Sequence, residues 1–254
     1  MSNSLDPDSH NHFDGKCLES AAHEILPTKV RYLLLTLSTR INTSQIESLR
    51  GAFIALSRNN ILYHNHKDSG YAYMYPLVQY KRIGGHGAVL VIGKAIETVG
   101  KLLDVDDPKL QLGATSVPYE IERVLPGNMV VQVWNTQFRY YLNHWLPLNK
   151  ENYEKYLHLS SVADKVRLME QILTGNVLSM SKGLEITLTE RVECVITQLS
   201  QPSKVRYKGA CLMEFDVEFD CNVSIPDYFG LGKGASLGHG VCVRKKKDNV
   251  LSKE

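Results

Sequence analysis

The sequence predicts an α+β protein made of two tandem ferredoxin-like (RRM-like) units, each with the element order βαββαβ, and a C-terminal glycine-rich loop. Apolar β-forming runs alternate with helically spaced apolar residues in that order through the first half, and the order recurs more loosely in the second half. We divide the 254 residues into a disordered tail, two units and a short end segment, at 1–26, 27–141, 142–247 and 248–254.

Composition indicates an ordinary soluble globular protein. Hydrophobic residues make up 43% of the chain and charged residues 22%, which is usual for such domains. No apolar run reaches the roughly 18 residues that a membrane-spanning helix needs, so no membrane partner is expected. Five cysteines without a C-x-x-C pair favour reduced thiols and a cytoplasmic location. The net charge of +2 averages an acidic N-terminal end and a basic C-terminal end, which predicts a basic surface near the glycine loop.

The first unit begins with an apolar strand and a capped helix. Residues 30–37 are rich in β-formers and predict the strand. The segment 44–47 reads S-x-x-E, a capping box that starts a helix. Apolar residues then recur on one helical face, at Ile46, Leu49, Phe53 and Leu56. Strands are predicted at 71–83, 88–92 and 129–141, with Gly84-Gly85 as a turn and a short helix at 96–103.

The second unit follows the same order less clearly. A short helix is predicted at 152–159 and a longer one at 161–173, which Gly175 would end. A strand at 184–199 and its hairpin partner at 204–219 follow. Short strands at 223–225 and 241–243 flank the glycine loop, which takes the place of the second helix.

The glycine loop at 230–240 is the most informative stretch. Its glycines and one lysine expose a run of backbone N–H groups that suits an anion such as a phosphate ester. A strand rather than a helix follows the loop, so the dinucleotide motif G-x-G-x-x-G does not apply. We therefore expect the loop to contact RNA or to shape the groove between the units. The residues predicted to contact RNA here are Gly230, Gly232, Lys233, Gly234, Gly238 and Gly240.

This combination resembles the RAMP superfamily of CRISPR-associated proteins. The stretches 75–81, 145–149 with Tyr153 after it, and 173–183 are similar to its repeat-processing endoribonuclease family, the sixth CRISPR-associated protein. The resemblance covers residues 28–245. It implies a metal-independent endoribonuclease, without a cofactor, that cuts the CRISPR repeat RNA of a precursor transcript to release guide RNAs. Its products would carry a 2′,3′-cyclic (or 3′) phosphate and a 5′-hydroxyl.

Two alternatives stay open at this point. The same fold serves non-catalytic RNA-binding subunits of CRISPR effector complexes, because fold does not dictate function. A nucleotide-binding regulatory domain is a third class. The sequence does not distinguish a monomer from a homodimer.

RNA cleavage without a metal needs a base for the 2′-hydroxyl and an acid for the departing 5′ oxygen, roles that suit histidine. His64 and His66 follow the first helix, and in an extended segment both lie on one side. Tyr73 comes seven residues later. Because the resemblance places the active site around the end of this helix, we assign catalysis to these three residues. Lys67 and Lys81 are candidates for charge stabilisation and RNA contact.

Other readings of these residues carry less weight. The pair His64 and His66 lacks nearby third and fourth ligands for zinc, and the letters His-Asn-His alone do not make a metal-dependent nuclease motif. Solvated loop histidines are the plain alternative. Lys204, Arg206 and Lys208 alternate on one strand face, which suits either an RNA backbone or solvent. The aromatic run 138–141 suits base stacking or, preferably, core packing.

Overall fold

The structure is a computed structural model that describes residues 29–58, 60–64, 75–100 and 108–245, except the side chain of residue 64. Its first unit contains β1 (Lys29–Arg40), α1 (Ile46–Leu56), α2 (Ile61–His64), β2 (Val78–Ile83), β3 (His86–Ile92), the hairpin β4 (Lys109–Leu112) and β5 (Thr115–Pro118), and β6 (Ile121–Val130). The main sheet has the order β2-β3-β1-β6 and is antiparallel throughout. This is the ferredoxin-like arrangement.

The second unit contains β7 (Val133–Trp145), α3 (Lys150–His158), α4 (Val162–Gly183), β8 (Cys194–Leu199), β9 (Ser203–Tyr207), β10 (Ala210–Val223) and β11 (Val241–Arg244). Its sheet has the order β11-β7-β10-β8, and β9 forms a hairpin with the outer end of β10. If the four main strands of each unit are numbered in chain order, both sheets have the order 4-1-3-2. The predicted fold class is therefore confirmed.

The start of α1 differs slightly from the prediction. The capping box is formed by Asn42 and Gln45, whose Oε1 accepts from the Asn42 backbone N–H at 2.8 Å. A single 3-10 turn over Thr43–Gln45 then leads into the helix. The predicted box at 44–47 is therefore two residues late. The apolar face is as expected, because Ile46 and Phe53 are buried against the sheet.

Three predicted boundaries in the middle and second half of the chain are wrong. The strand predicted at 129–141 is two strands, β6 and β7, that belong to different sheets, so the units meet near 131 rather than 141. Helix α4 runs through Gly175 to Gly183, because its buried face continues through Val177 and Met180. The strand predicted to begin at residue 184 begins ten residues later, at Cys194.

The first sheet is covered on both faces. One face packs on α1, with Leu35 and Val89 in that core. The opposite face, with Leu34 and Leu90, packs on the second unit and joins a core that includes α4 and the glycine loop. The two units therefore share a continuous apolar interior, and the glycine loop lies inside it.

Candidate RNA interface

The glycine loop is a packed wedge between the two units. Phe229 and Leu231 are fully buried, and the Phe229 ring meets Tyr32 of β1 edge to face at 5.3 Å. The backbone N–H of Gly230 donates to Gln79 Oε1 on β2 at 2.9 Å. The loop thus joins the second unit to the first sheet through apolar contacts and a buried hydrogen bond.

Close packing, rather than anion binding, explains several of the glycines. A Cβ on Gly240 would collide with the carbonyl oxygen of Leu231, at a φ of 60° that favours glycine. A Cβ on Gly230 would lie 2.7 Å from Ala235 Cβ. The N–H groups of Leu231 and Gly240 already donate within the protein, to Gly240 O and His144 O. These glycines are required by the fold itself.

The exposed rim of the loop meets the β9–β10 hairpin. The Lys233 ammonium lies 5.7 Å from the ring centroid of Tyr207, and the Lys208 ammonium lies 5.8 Å from the same centroid. Lys204 and Arg206 are exposed on the same hairpin. Lys208 and Lys233 therefore lie on one surface, which we call the basic rim (Lys208 and Lys233). Lys204 and Arg206 alternate with Tyr207 along β9, so their side chains leave the opposite face of that strand.

Tyr207 fixes the basic rim to the body of the protein. Its side chain packs on the core of the first unit. On its other side its ring meets the imidazole of His239, a loop residue, edge to face at 5.4 Å. Burial raises the pKa of Tyr207, so its hydroxyl stays neutral near physiological pH.

A partly buried carboxylate, Glu214, contacts two histidines, His144 of β7 and His239 of the loop. Glu214 Oε1 lies 3.0 Å from His144 Nδ1, and its Oε2 lies 3.2 Å from His239 Nδ1. Burial alone would raise the pKa of Glu214, but the hydrogen bonds from His144 and His239 lower it to about 2. The hydrogen bond to Glu214 raises the pKa of His144. The cluster is therefore a charge-assisted clasp, and within the described residues no three metal-ligating side chains are grouped to hold an ion.

Most of the predicted catalytic residues fall outside the described residues. His64 ends α2 with only its backbone described, and His66, Lys67 and Tyr73 lie beyond the described ranges. The start of α2 is firmly placed, because Asn60 Oδ1 accepts from the Leu62 N–H at 3.0 Å. The assignment of these side chains to catalysis stays a prediction.

Lys81 does not lie where an RNA contact needs it. Its side chain is 1% exposed, and its Nζ donates to Gln79 Oε1 at 2.9 Å, beneath the glycine loop. Burial lowers the pKa of Lys81 to about 7. The prediction that Lys81 contacts RNA is wrong, because both faces of the first sheet are covered and β2 is buried on each side.

A cleft of about 290 Å³ separates the two units beside the histidine clasp. Arg82 of β2 lines one wall, held by a 2.8 Å hydrogen bond from its Nε to Ile41 O. His144 and Gly238 line the opposite wall. The cleft places an arginine of the first unit opposite an exposed imidazole of the second.

Sequence reasoning missed the clasp and the role of Tyr207. Glu214 lies 70 residues from His144 and 25 from His239, so no local spacing connects them. The pairing of β10 with β7 brings Glu214 beside His144, and the hydrogen bond from Gly240 N–H to His144 O brings the loop residue His239 next to them. Among the described residues, no helix is both long enough and apolar enough to cross a membrane.

Comparison with known proteins agrees with this architecture. A family model described as the Cas6b N-terminal domain matches residues 28–127, and one described as the Cas6b C-terminal domain matches residues 132–245. A solved structure described as "Crystal structure of Cas6b" is 26% identical with a TM-score of 0.77, and the match covers 86% of this chain and 100% of that one.

Two further relatives extend the comparison. A structure described as "Crystal structure of CRISPR RNA processing endoribonuclease Cas6b" has the same fold, with 24% identity, a TM-score of 0.67, and coverage of 86% of this chain and 100% of that one. An uncharacterised protein of Methanocaldococcus jannaschii is 35% identical over 131 residues, which is 49% of this chain and 88% of that protein. The two family matches meet at 128–131, where the structure separates its sheets.

Proposed function

Because the chain belongs to the Cas6b family, we propose that it is an endoribonuclease that cuts CRISPR repeat RNA in a precursor transcript and releases guide RNAs. The proposal depends on one observation: the two halves of the chain match the two domains of one family. The structure agrees with that division, because each half forms its own sheet with the same strand order. The relative described as an RNA processing endoribonuclease shares that fold.

The proposed chemistry uses the ribose of the RNA itself and no metal ion. A base removes the proton of the 2′-hydroxyl, and the oxygen attacks the adjacent phosphorus. An acid protonates the departing 5′ oxygen, which leaves a 2′,3′-cyclic phosphate and a 5′-hydroxyl. Each proton transfer contributes about 10²–10⁴-fold in rate. His64 and His66 are proposed for these two transfers, with the order between them left open.

Phosphate positioning is proposed for two further residues and the basic rim. Tyr73 and Lys67 lie close to the histidines in the chain and are proposed to hold the scissile phosphate. The basic rim presents Lys208 and Lys233 beside one tyrosine ring, which suits the RNA backbone because phosphate contacts set register without reading sequence. The exposed edge of the glycine loop completes this surface.

The proposal is tested by single-turnover cleavage of the repeat RNA of the organism's own CRISPR array, in EDTA. We expect cleavage to persist, and His64→Ala and His66→Ala each to slow it by at least about a hundredfold with RNA affinity nearly unchanged. His158→Ala is the matched control, because that histidine is exposed on α3 with its Nδ1 2.7 Å from Glu154 O. Cleavage that needs a divalent ion would overturn the mechanism.

The same experiment also tests whether the protein is a non-catalytic RNA-binding subunit. Tight binding of the repeat RNA with no product, by a protein whose His64 and His66 are intact, would favour the non-catalytic subunit of a CRISPR effector complex. Wild-type cleavage by both alanine variants would instead show that other side chains carry the chemistry.

A further inference from the structure

A second polar site lies at the end of the second sheet. Between Val133 and Phe138, four residues of β7 face a single residue of β10, Asn222, so residues 134–137 form a wide bulge. Bulges of this kind re-aim side chains and recur beside functional sites. The bulge presents one aromatic ring, two carboxamides and a hydroxyl, and all four of its side chains are exposed.

The aromatic ring of this bulge is exposed yet firmly held. The Trp134 side chain is 41% exposed. Its Nε1 donates to the hydroxyl of buried Ser224 at 2.8 Å, and that hydroxyl donates to Val130 O at 2.7 Å. The edge of the indole also meets the Phe138 ring at 6.3 Å and 83°. An indole with a fixed orientation and a free surface is a ready platform for stacking.

The segment opposite Trp134 is held in place by side-chain hydrogen bonds. Asn222 is buried, its Oδ1 accepts from Glu193 N at 2.9 Å, and its Nδ2 donates to Arg191 O at 2.9 Å. This amide ties the segment before β8 to β10. Between that segment and the bulge lies a cleft of about 380 Å³, which is large enough for a single nucleobase.

The net charge of the cleft favours a base over a phosphate. Glu190, Glu193 and Arg191 line it, and Arg191 Nε lies 4.0 Å from Glu193 Oε1, so the two carboxylates outnumber the single cation. Asn135 and Gln137 line it as well. Carboxylates repel phosphate but accept hydrogen bonds from the exocyclic amino groups of cytosine and adenine. The carboxamides of the bulge suit the remaining donors and acceptors of a base edge.

A second cation, Arg244, lies against the ring of Phe138 next to the bulge. The Arg244 guanidinium is 4.3 Å from the Phe138 ring centroid, and its side chain is exposed. An arginine stacked on an aromatic ring combines a fixed positive charge with a flat surface. Exposed aromatic rings on which bases can stack, together with an arginine, are typical of sites that bind single-stranded nucleic acid.

We propose that this bulge cleft binds one unpaired, amino-bearing nucleobase of RNA, cytosine or adenine, stacked on Trp134. The inference deepens the proposed function and rests on it only in taking RNA as the ligand. It adds a second contact region to the basic rim, and it assigns to this region the recognition of a base rather than of the backbone.

Tryptophan fluorescence tests this proposal directly, because the chain has two tryptophans and Trp145 is fully buried. The full-length protein is titrated with rC8, rA8 and rU8. We expect rC8 and rA8 to quench Trp134 emission and to bind more tightly than rU8. Trp134→Ala should lose the quench and weaken rC8 binding about tenfold or more, whereas Trp134→Phe keeps most of the affinity.

Tyr153→Ala is the matched control, because Tyr153 is another aromatic side chain that is 41% exposed, and it should bind rC8 normally. Equal binding of rC8 by the wild type and Trp134→Ala would overturn the inference and leave the indole to a protein partner. Equal binding of rC8 and rU8 would overturn the amino-group preference. Repeat cleavage is measured on the same samples: cleavage without quenching contradicts only the inference, and quenching without cleavage contradicts only the proposed function.

Discussion

The two units share one strand order but differ in what covers their sheets. The first unit places the helix α1 on one face and the second unit on the other. The second unit covers its sheet with the long helix α4 and, where the repeat would place a second helix, with the glycine loop. A helix with its side chains is about 10 Å wide, whereas this loop packs so closely that Gly230 and Gly240 leave no room for a Cβ. The loop is thus a device for joining the units.

This comparison assigns different tasks to the two halves. The segment after α1 carries the histidines proposed for catalysis, and the second unit carries the basic rim, the clasp and the bulge cleft. The glycine loop connects them, because its buried side supports the first sheet while its rim carries Lys233. Four predictions test this division, beginning with the largest expected effect.

Gly240→Ala should be the most damaging change, because an added Cβ collides with the Leu231 carbonyl at a positive φ. We expect a loss of about 3–5 kcal/mol in the free energy of unfolding, measured by urea denaturation. Gly209→Ala is the control: its φ is 80° but nothing lies within 4 Å of an added Cβ, so it should cost only about 1 kcal/mol. Equal losses would contradict the wedge.

Lys81→Met should stabilise the protein at pH 7 and below. Burial lowers the pKa of Lys81 to about 7, so the unfolded chain binds its proton more strongly than the folded one, and the wild type gains stability as pH rises from 7 toward the ordinary lysine value. We expect an advantage of about 3 kcal/mol for the variant at pH 6.5, shrinking by pH 10. A difference that does not vary with pH would contradict the buried cation.

Glu214→Gln should weaken the clasp in a pH-dependent way. Because the pKa of His144 is raised in the folded state, the His144–Glu214 pair stabilises the fold fully at pH values below the ordinary histidine pKa. This stabilisation is lost as the pH rises through the folded-state pKa of His144, while Glu214 remains ionised throughout. We expect a loss of about 1 kcal/mol at pH 5.5 and less at pH 8.5, from thermal unfolding. Glu218→Gln, which removes a 2.8 Å partner of Lys245, should cost the same at both pH values.

Lys208→Ala and Lys233→Ala should have the smallest effects. Each removes one cation from the basic rim, so each should weaken repeat RNA binding a few-fold and reduce the salt slope of log K by about 0.7. Lys150→Ala, an exposed lysine on α3, should leave the slope unchanged. The measurement is repeat RNA affinity over a range of salt concentrations. An unchanged salt slope in both variants would show that the basic rim does not contact the RNA.

The parts of the fold that depend on local periodicity could be predicted from the sequence. The apolar residues of α1 repeat on one helical face, and Leu34 and Leu35 point to opposite sides of β1 into two different cores. That alternation, with the strand order, made the fold class predictable. The end of α4 was not, because a glycine is tolerated inside a helix whose buried face continues.

The site was less predictable, for physical reasons that particular residues show. A glycine is needed both where a phosphate approaches and where two chains pack, and only the tertiary neighbours of Gly230 and Gly240 separate these cases. The burial of Lys81 was not predictable, because the second unit that covers its strand is distant in the sequence. Trp134 gave no sequence signal, since its bulge is created by the register between β7 and β10.

The proposed mechanism is tested most sharply by cleavage of two matched repeat RNAs in EDTA, one with ribose and one with 2′-deoxyribose at the nucleotide before the scissile bond. Products are identified by mass spectrometry. We expect the ribose substrate to be cut to a 2′,3′-cyclic phosphate (or its 3′-phosphate product) and a 5′-hydroxyl, and the deoxy substrate to stay intact. Cleavage of the deoxy substrate, or products ending in a 3′-hydroxyl, would contradict the proposed mechanism.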